Sequence, residues 1–131
     1  MTAESSQFRS ATQEIVYVVD DDEAVRDSTR MVLESYGMTV RTFASAQAFL
    51  AAVDDQPGGC ILLDQHMPEM TGLEMLEMLK ASRKTRPVIM ITGRSDQTFK
   101  DRALRAGAFA LLDKPVADDD LVAAIGTALR H

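Results

Sequence analysis

Five short β-prone apolar runs recur along the chain: Ile15–Val19, Thr39–Phe43, Cys60–Leu63, Val88–Thr92 and Ala110–Leu112. Each is too short for a buried helix, and each is followed by a segment with helical periodicity. Val25, Thr29, Val32, Leu33 and Tyr36 would form one helical face, closed by Gly37. Ala46, Phe49, Leu50 and Val53 would form the second, behind Ser45 as N-cap. Leu73, Leu76 and Leu79 mark the third; Phe99, Ala103 and Ala106 the fourth, closed by Gly107; Leu121, Ile125, Ala128 and Leu129 the last. Strict strand–helix alternation with short connections predicts an α/β fold, a (βα)5 doubly wound parallel sheet with helices on both faces. There is no internal sequence repeat. Residues 1–13 are polar and aperiodic and read as a flexible N-terminal tail, leaving residues 14–131 as one domain.

Composition removes several classes of function. The net charge is −6 and no Lys/Arg cluster occurs, which argues against direct nucleic-acid binding by this chain, because phosphate contacts need a basic patch. Cys60 is the single cysteine, so an internal disulfide is excluded and a reducing compartment fits. It opens an apolar run and reads as a small buried residue. No signal-peptide pattern and no membrane-spanning apolar stretch is present, so the expected location is cytoplasmic, with no membrane partner. Met67, Met70, Met75 and Met78 read as core and loop filler rather than as a metal-binding or docking face.

Polar groups fall at the carboxyl ends of four runs. The first runs into Asp20-Asp21-Asp22, the third ends at Asp64, the fourth at Thr92-Gly93, and the fifth just before Lys114-Pro115. The second offers nothing comparable. Open α/β sheets bind ligands at the carboxyl ends of their strands, near the topological switch point. A flavodoxin-like strand order of 2-1-3-4-5 makes the four contributing ends neighbours and leaves the silent strand at an edge. Asp20, Asp21 and Asp64 stack like charges at the ends of core strands, which costs repulsion and desolvation unless a cation compensates. Three carboxylates without a His/Cys cluster make a hard oxygen site suited to Mg2+. A carboxylate beside such a cation can act as nucleophile toward a phosphoryl group. Lys114 supplies a positive charge for anionic oxygens, Thr92 a hydroxyl donor, and Gly93 room beside the phosphoryl group.

Plainer readings apply to the neighbours. Asp22 reads as the N-cap of the first helix. The His66 side chain reads as solvent-facing, since one His without partners is not a metal site, and His131 is terminal. Asp118, Asp119 and Asp120 suit the first turn of the last helix through its macrodipole. Taken singly, Asp20 and Asp21 could be capping acids, Asp64 a turn residue and Lys114 a solvated turn lysine; the constellation carries the functional reading.

The segments VVDDDEAVRDS, LLDQHMPEMTG, ITGRSD and LLDKP, in this order, resemble the receiver domain of bacterial two-component response regulators over residues 14–131. MPEMTG, ITG and the passage from AGA to DKP are most similar to the FixJ-like group, whose members often carry a C-terminal DNA-binding domain. The resemblance implies Asp64 as phospho-acceptor, and Asp20, Asp21, Asp64 and the His66 backbone carbonyl as Mg2+ ligands. It implies Thr92 as switch hydroxyl, Lys114 as phosphate-binding lysine, and a cis Lys114-Pro115 bond. The implied donor is the phosphohistidine of a sensor histidine kinase or histidine phosphotransfer protein. The implied output is a partner surface, for phosphorylation-dependent homodimerisation, on the fourth helix, fifth strand and fifth helix. Such a chain is a signalling receiver that promotes its own phosphorylation and dephosphorylation rather than an enzyme.

One departure matters. Receivers usually carry an aromatic three residues before the lysine, and Leu111 stands there. Two rival functions share parts of the pattern. Haloacid-dehalogenase-type phosphohydrolases open with a similar Asp-x-Asp, but Ala24 stands where a Thr or Val is expected. A receiver fold that binds partners without phosphorylation would not need the intact acids and lysine. A flavodoxin would need a Gly/Ser/Thr-rich phosphate loop after the first strand, and none follows.

Overall fold

The computed structural model describes residues 15–53, 58–82, 86–93 and 96–130. The expected tail, residues 1–13, and His131 lie outside the described residues. Five strands alternate with five helices: β1 (Ile15–Val19), α1 (Glu23–Ser35), β2 (Thr39–Phe43), α2 (Ala46–Ala52), β3 (Cys60–Asp64), α3 (Gly72–Ala81), β4 (Val88–Thr92), α4 (Gln97–Arg105), β5 (Ala110–Asp113) and α5 (Asp118–Leu129). All pairings are parallel, and the order is β2-β1-β3-β4-β5.

The sheet is covered on both faces, and strand alternation sorts its side chains between them. Tyr17, Val19, Ile61, Leu63, Val88 and Met90 join Phe49 of α2, Leu73 and Leu76 of α3 and Ala103 of α4 in one core. Val16, Val18, Cys60, Leu62 and Ile89 join Leu33 of α1 and Leu121 and Ile125 of α5 in the other. Leu33, Ile89 and Ile125 are fully buried, a burial worth roughly 1.5–3 kcal/mol for each such side chain. Cys60 is fully buried at the start of β3, where loss of solvation pushes its thiol up to about 12. Of the methionines, Met75 and Met67 are core, Met70 packs against the core, and Met78 is exposed.

The helix starts follow local chemistry. The Asp22 carboxylate accepts from Val25 N (3.2 Å), Ser45 Oγ from Ala48 N (3.0 Å) and Asp96 from Phe99 N (2.8 Å). Thr71 and Glu74 form a reciprocal capping box at α3. Asp118, Asp119 and Asp120 occupy the first turn of α5. Gly37 and Gly107 follow their helices at φ +84° and +101°, a conformation that disfavours any Cβ.

Two expectations need correction. The third and fifth strands each run one residue further than their apolar runs, through Asp64 and Asp113, because both residues still pair across the ladder, with Ile91 and Thr92. The expected inward face of α1 is only partly inward. Leu33 is buried, but Val25 is 39% exposed and Tyr36 52%. Val25, Thr29 and Val32 border a cavity between α1 and α5 instead of meeting the sheet closely, and the Tyr36 hydroxyl lies 3.4 Å from Asp119 Oδ1. Among the described residues no helix is long and apolar enough to cross a membrane.

Candidate functional site

Parallel strands bring their carboxyl ends to one edge, so the residues just past β1, β3, β4 and β5 converge there. Along β1 and β3 the even-numbered residues Val16, Val18, Cys60 and Leu62 face α1 and α5. Asp20 and Asp64 continue that alternation and line the same cavity, of about 710 Å3, with Gly93, Lys114, Pro115 and α5 residue Leu121. The Lys114-Pro115 peptide is cis, as expected from the resemblance.

Asp20, Asp21 and Asp64 each offer one carboxylate oxygen, all within 4.8 Å of one another. Asp20 is 7% exposed and Asp64 4%, whereas Asp21 is exposed. Asp22 N donates to Asp20 Oδ1 (2.9 Å), and Arg26 Nη1 donates to the Asp20 carbonyl (2.8 Å), so the first acid is held by α1. Burial raises the Asp20 carboxyl above the ordinary Asp value; the Asp22 amide opposes that shift and the nearby Asp64 charge adds to it. Lys114 Nζ stands 2.7 Å from Asp64 Oδ1. Burial alone would lower the lysine, but its pairing with Asp64 and the nearby Asp20 and Asp21 charges outweigh that and raise it. At 2.7 Å the two form an ion pair, and among the described residues nothing else bonds the buried Asp64 Oδ1.

Three clustered carboxylates set against a single ammonium leave an excess of negative charge that a small divalent cation would relieve. The donor set is hard oxygen throughout, which fits Mg2+ in particular. The same arrangement leaves a carboxylate oxygen facing an open cavity, with a cation at its side to neutralise an incoming anion.

The other expected site residues are placed less uniformly. Thr92 ends β4 and is fully buried. It shares the alternation of Val88 and Met90, which face α3 and α4, and it is not part of the cavity lining. Thr92 O accepts from Lys114 N (2.8 Å), so the backbones of the two residues are tied. His66 is exposed, as its solvent-facing reading required. Gly93 lines the cavity, and among the described residues a Cβ there would meet Lys114 Cδ alone, at 3.9 Å, an ordinary contact.

Sequence reasoning missed three residues that build the site. Arg26 holds the Asp20 carbonyl. Gly72 lies so close to β3 that a Cβ would stand 2.5 Å from the Asp64 carbonyl oxygen. Gln65 Oε1 accepts from Leu73 N (2.8 Å), binding α3 to the end of β3. Only the neighbourhood of Gly72 left a readable signal, the Thr71-x-x-Glu74 capping pattern around it.

Residues 16–126 match the family described as response regulator receiver domain. The chain is 40% identical over 116 residues to the transcriptional regulatory protein FixJ of Bradyrhizobium diazoefficiens, covering 88% of this chain and 57% of that protein. It is 38% identical over 124 residues to the response regulator protein TmoT of Ectopseudomonas mendocina, covering 95% of this chain and 56% of that one. It therefore spans little more than half the length of these curated relatives. The crystal structure of FixJ-N superposes with a TM-score of 0.83 at 37% identity, covering 90% of this chain and 94% of that one. These similarities favour neither a phosphohydrolase nor a phosphorylation-independent binding module.

Proposed function

The chain belongs to the response regulator receiver family, and on that premise we propose that it accepts a phosphoryl group on Asp64 from the phosphohistidine of a sensor histidine kinase or histidine phosphotransfer protein. The observation that carries the assignment is the Lys114 ammonium 2.7 Å from a buried Asp64 oxygen, beside the oxygens of Asp20 and Asp21. An Asp64 oxygen attacks phosphorus, the phosphorus–nitrogen bond to the donor imidazole breaks, and the imidazole leaves. Lys114 balances the charge on the phosphoryl oxygens, and Gly93 keeps the approach open. Asp20, Asp21, Asp64 and the His66 backbone carbonyl are the residues that would hold Mg2+. When bound, that ion supplies charge neutralisation at the phosphoryl oxygens. Hydrolysis by water at phosphorus returns Asp64 to its starting state, so the domain promotes its own dephosphorylation as well.

The proposed setting is the cytoplasm, and the proposed output is the face made by α4, β5 and α5. Thr92 is fully buried at the end of β4, where the connection to α4 begins. A phosphoryl group on Asp64 provides its hydroxyl with a new acceptor and draws the β4–α4 connection inward. Leu111 already packs, partly buried, against the core that holds Phe99 of α4. It is smaller than an aromatic and has no polar tip, so the coupling from Thr92 to self-association is weak.

The test is labelling with Mg2+ and a small phosphodonor, followed by mapping of the acid-stable, alkali-labile acyl phosphate. Asp64→Asn should abolish the label. Labelling of that variant at the wild-type level would show the assignment to be wrong.

A further inference from the structure

The acceptor strand does not stop at its acid: Gln65, the next residue, stays in the sheet by donating its N–H to Ile91 O (2.9 Å). Alternation turns it away from Asp64, toward the face that carries Ile61, Leu63 and the residues of α3. There it accepts two bonds. Gly72 N donates to its carbonyl (3.2 Å) and Leu73 N to its side-chain Oε1 (2.8 Å).

The first four N–H groups of a helix have no partner within it. In α3 they divide evenly. Glu74 N donates to Thr71 Oγ1 (3.2 Å) and Thr71 N to Glu74 Oε1 (2.9 Å), both within the helix's own capping box. Gly72 N and Leu73 N bond Gln65, which belongs to β3. The Thr71 bonds stabilise the helix wherever it lies, whereas the Gln65 bonds fix where it lies. Gly72 makes that docking close, since a Cβ would meet the Asp64 carbonyl at 2.5 Å. The six-residue loop 66–71 is thus closed at both ends by a single residue. Within it Met67 is 6% exposed, and Glu69 is held at φ +70°.

We propose that Gln65 is a positioning residue for the acidic site, setting through its Oε1–Leu73 N–H bond where loop 66–71, and with it the His66 backbone carbonyl, stands relative to Asp64. The inference rests on the metal reading above. Gln65 touches no reacting atom; it acts through the loop that it closes.

Three variants separate positioning from helix stability, each followed by amide hydrogen exchange in EDTA and by Mg2+ titration. Gln65→Leu removes the acceptor, and exchange at Leu73 should accelerate at least about tenfold. Its Mg2+ dissociation constant should rise roughly tenfold, as is usual for losing a group that orients a metal ligand. Gln65→Glu keeps an acceptor oxygen and should restore both protection and affinity. Thr71→Ala removes the cap that is not tied to β3; it should expose Glu74 N to exchange yet hold the Mg2+ constant within about twofold. A Gln65→Leu protein that binds Mg2+ like wild type overturns the proposal, as does a Thr71→Ala protein weakened as much as Gln65→Leu. If Gln65→Leu does not fold, Gln65→Asn, one methylene too short, takes the same measurements. A wild type with no saturable Mg2+ response sensitive to Asp20→Asn overturns the metal reading and this inference together, whereas a failure at Gln65 alone leaves that response intact.

Discussion

Asp20→Asn should make the metal-free protein more stable, not less. The substitution preserves shape and keeps an acceptor for Asp22 N, which lies 2.9 Å from Asp20 Oδ1. It removes one negative charge from a group of three whose oxygens lie within 4.8 Å. At that distance a pair of like charges repels by about 3.5 kcal/mol at an effective dielectric near 20, and by about 0.9 kcal/mol in bulk water. Asp21 is exposed, so its pair with Asp20 sits near the lower figure. The pair with Asp64 sits nearer the upper one but is partly cancelled by Lys114. The net expectation is a gain of about 1–3 kcal/mol in EDTA at low salt, a urea midpoint roughly 1 M higher. Mg2+ should reverse the ranking. Wild type gains about 2.7 kcal/mol at a hundred times its dissociation constant, and the variant, having lost a ligand, gains much less. Urea unfolding followed by far-ultraviolet circular dichroism, with EDTA and with excess Mg2+, measures both. A variant less stable than wild type in EDTA would show that these carboxylates do not repel one another in the fold. A variant with the full Mg2+ gain would place the metal elsewhere.

Other consequences are open to test. The Asp20 carboxyl titrates above its unfolded value. The penalty for its charge is therefore present at neutral pH, fades as pH falls through the folded pKa and vanishes below the unfolded one. Mg2+ affinity should decline across the same window, starting at higher pH than an ordinary Asp would give, and Asp20→Asn should remove that limb; an identical pH profile in the variant would contradict it. Gly72→Ala should cost about 1–3 kcal/mol and weaken Mg2+ binding, because the new methyl meets the backbone of Asp64 and Gln65 at 2.5 and 3.0 Å; unchanged urea unfolding would refute the close approach. Beryllofluoride with Mg2+ should promote self-association less in wild type than in Leu111→Tyr, with wild-type coupling at or below the low end of about 1–3 kcal/mol, as sedimentation would show. Equal association in the two proteins would mean that Leu111 does not weaken the switch.

The topology was readable because β1, β3 and β4 are short runs buried on both faces and four of the five helices begin at a capping side chain, Asp22, Ser45, Thr71 and Asp96. The acids and the lysine were readable because strand ends in a parallel sheet share one edge, so sequence positions as distant as Asp20 and Lys114 become neighbours by topology alone. The α1 face misled because periodicity reports which residues share a side, not whether that side meets a sheet or a cavity; Val25 and Tyr36 have the right spacing and the wrong surroundings. Thr92 was legible as the residue that ends the fourth strand, whereas its full burial and its pairing with Asp113 required the register. Gln65 leaves no local pattern, because its partner N–H belongs to a helix that folds back eight residues later.

Cys60 has a practical consequence. It is the only cysteine in the chain, it has no solvent exposure, and its thiol titrates near 12. Burial keeps that thiol in its neutral form, and thiolate is the reactive form. Maleimides and nitroxide reagents should pass the native protein by. A cysteine introduced at Leu104, 54% exposed on α4, would then be the sole labelling position. Spin or fluorescence probes could follow α4 through a phosphorylation cycle with β3 left in its natural sequence.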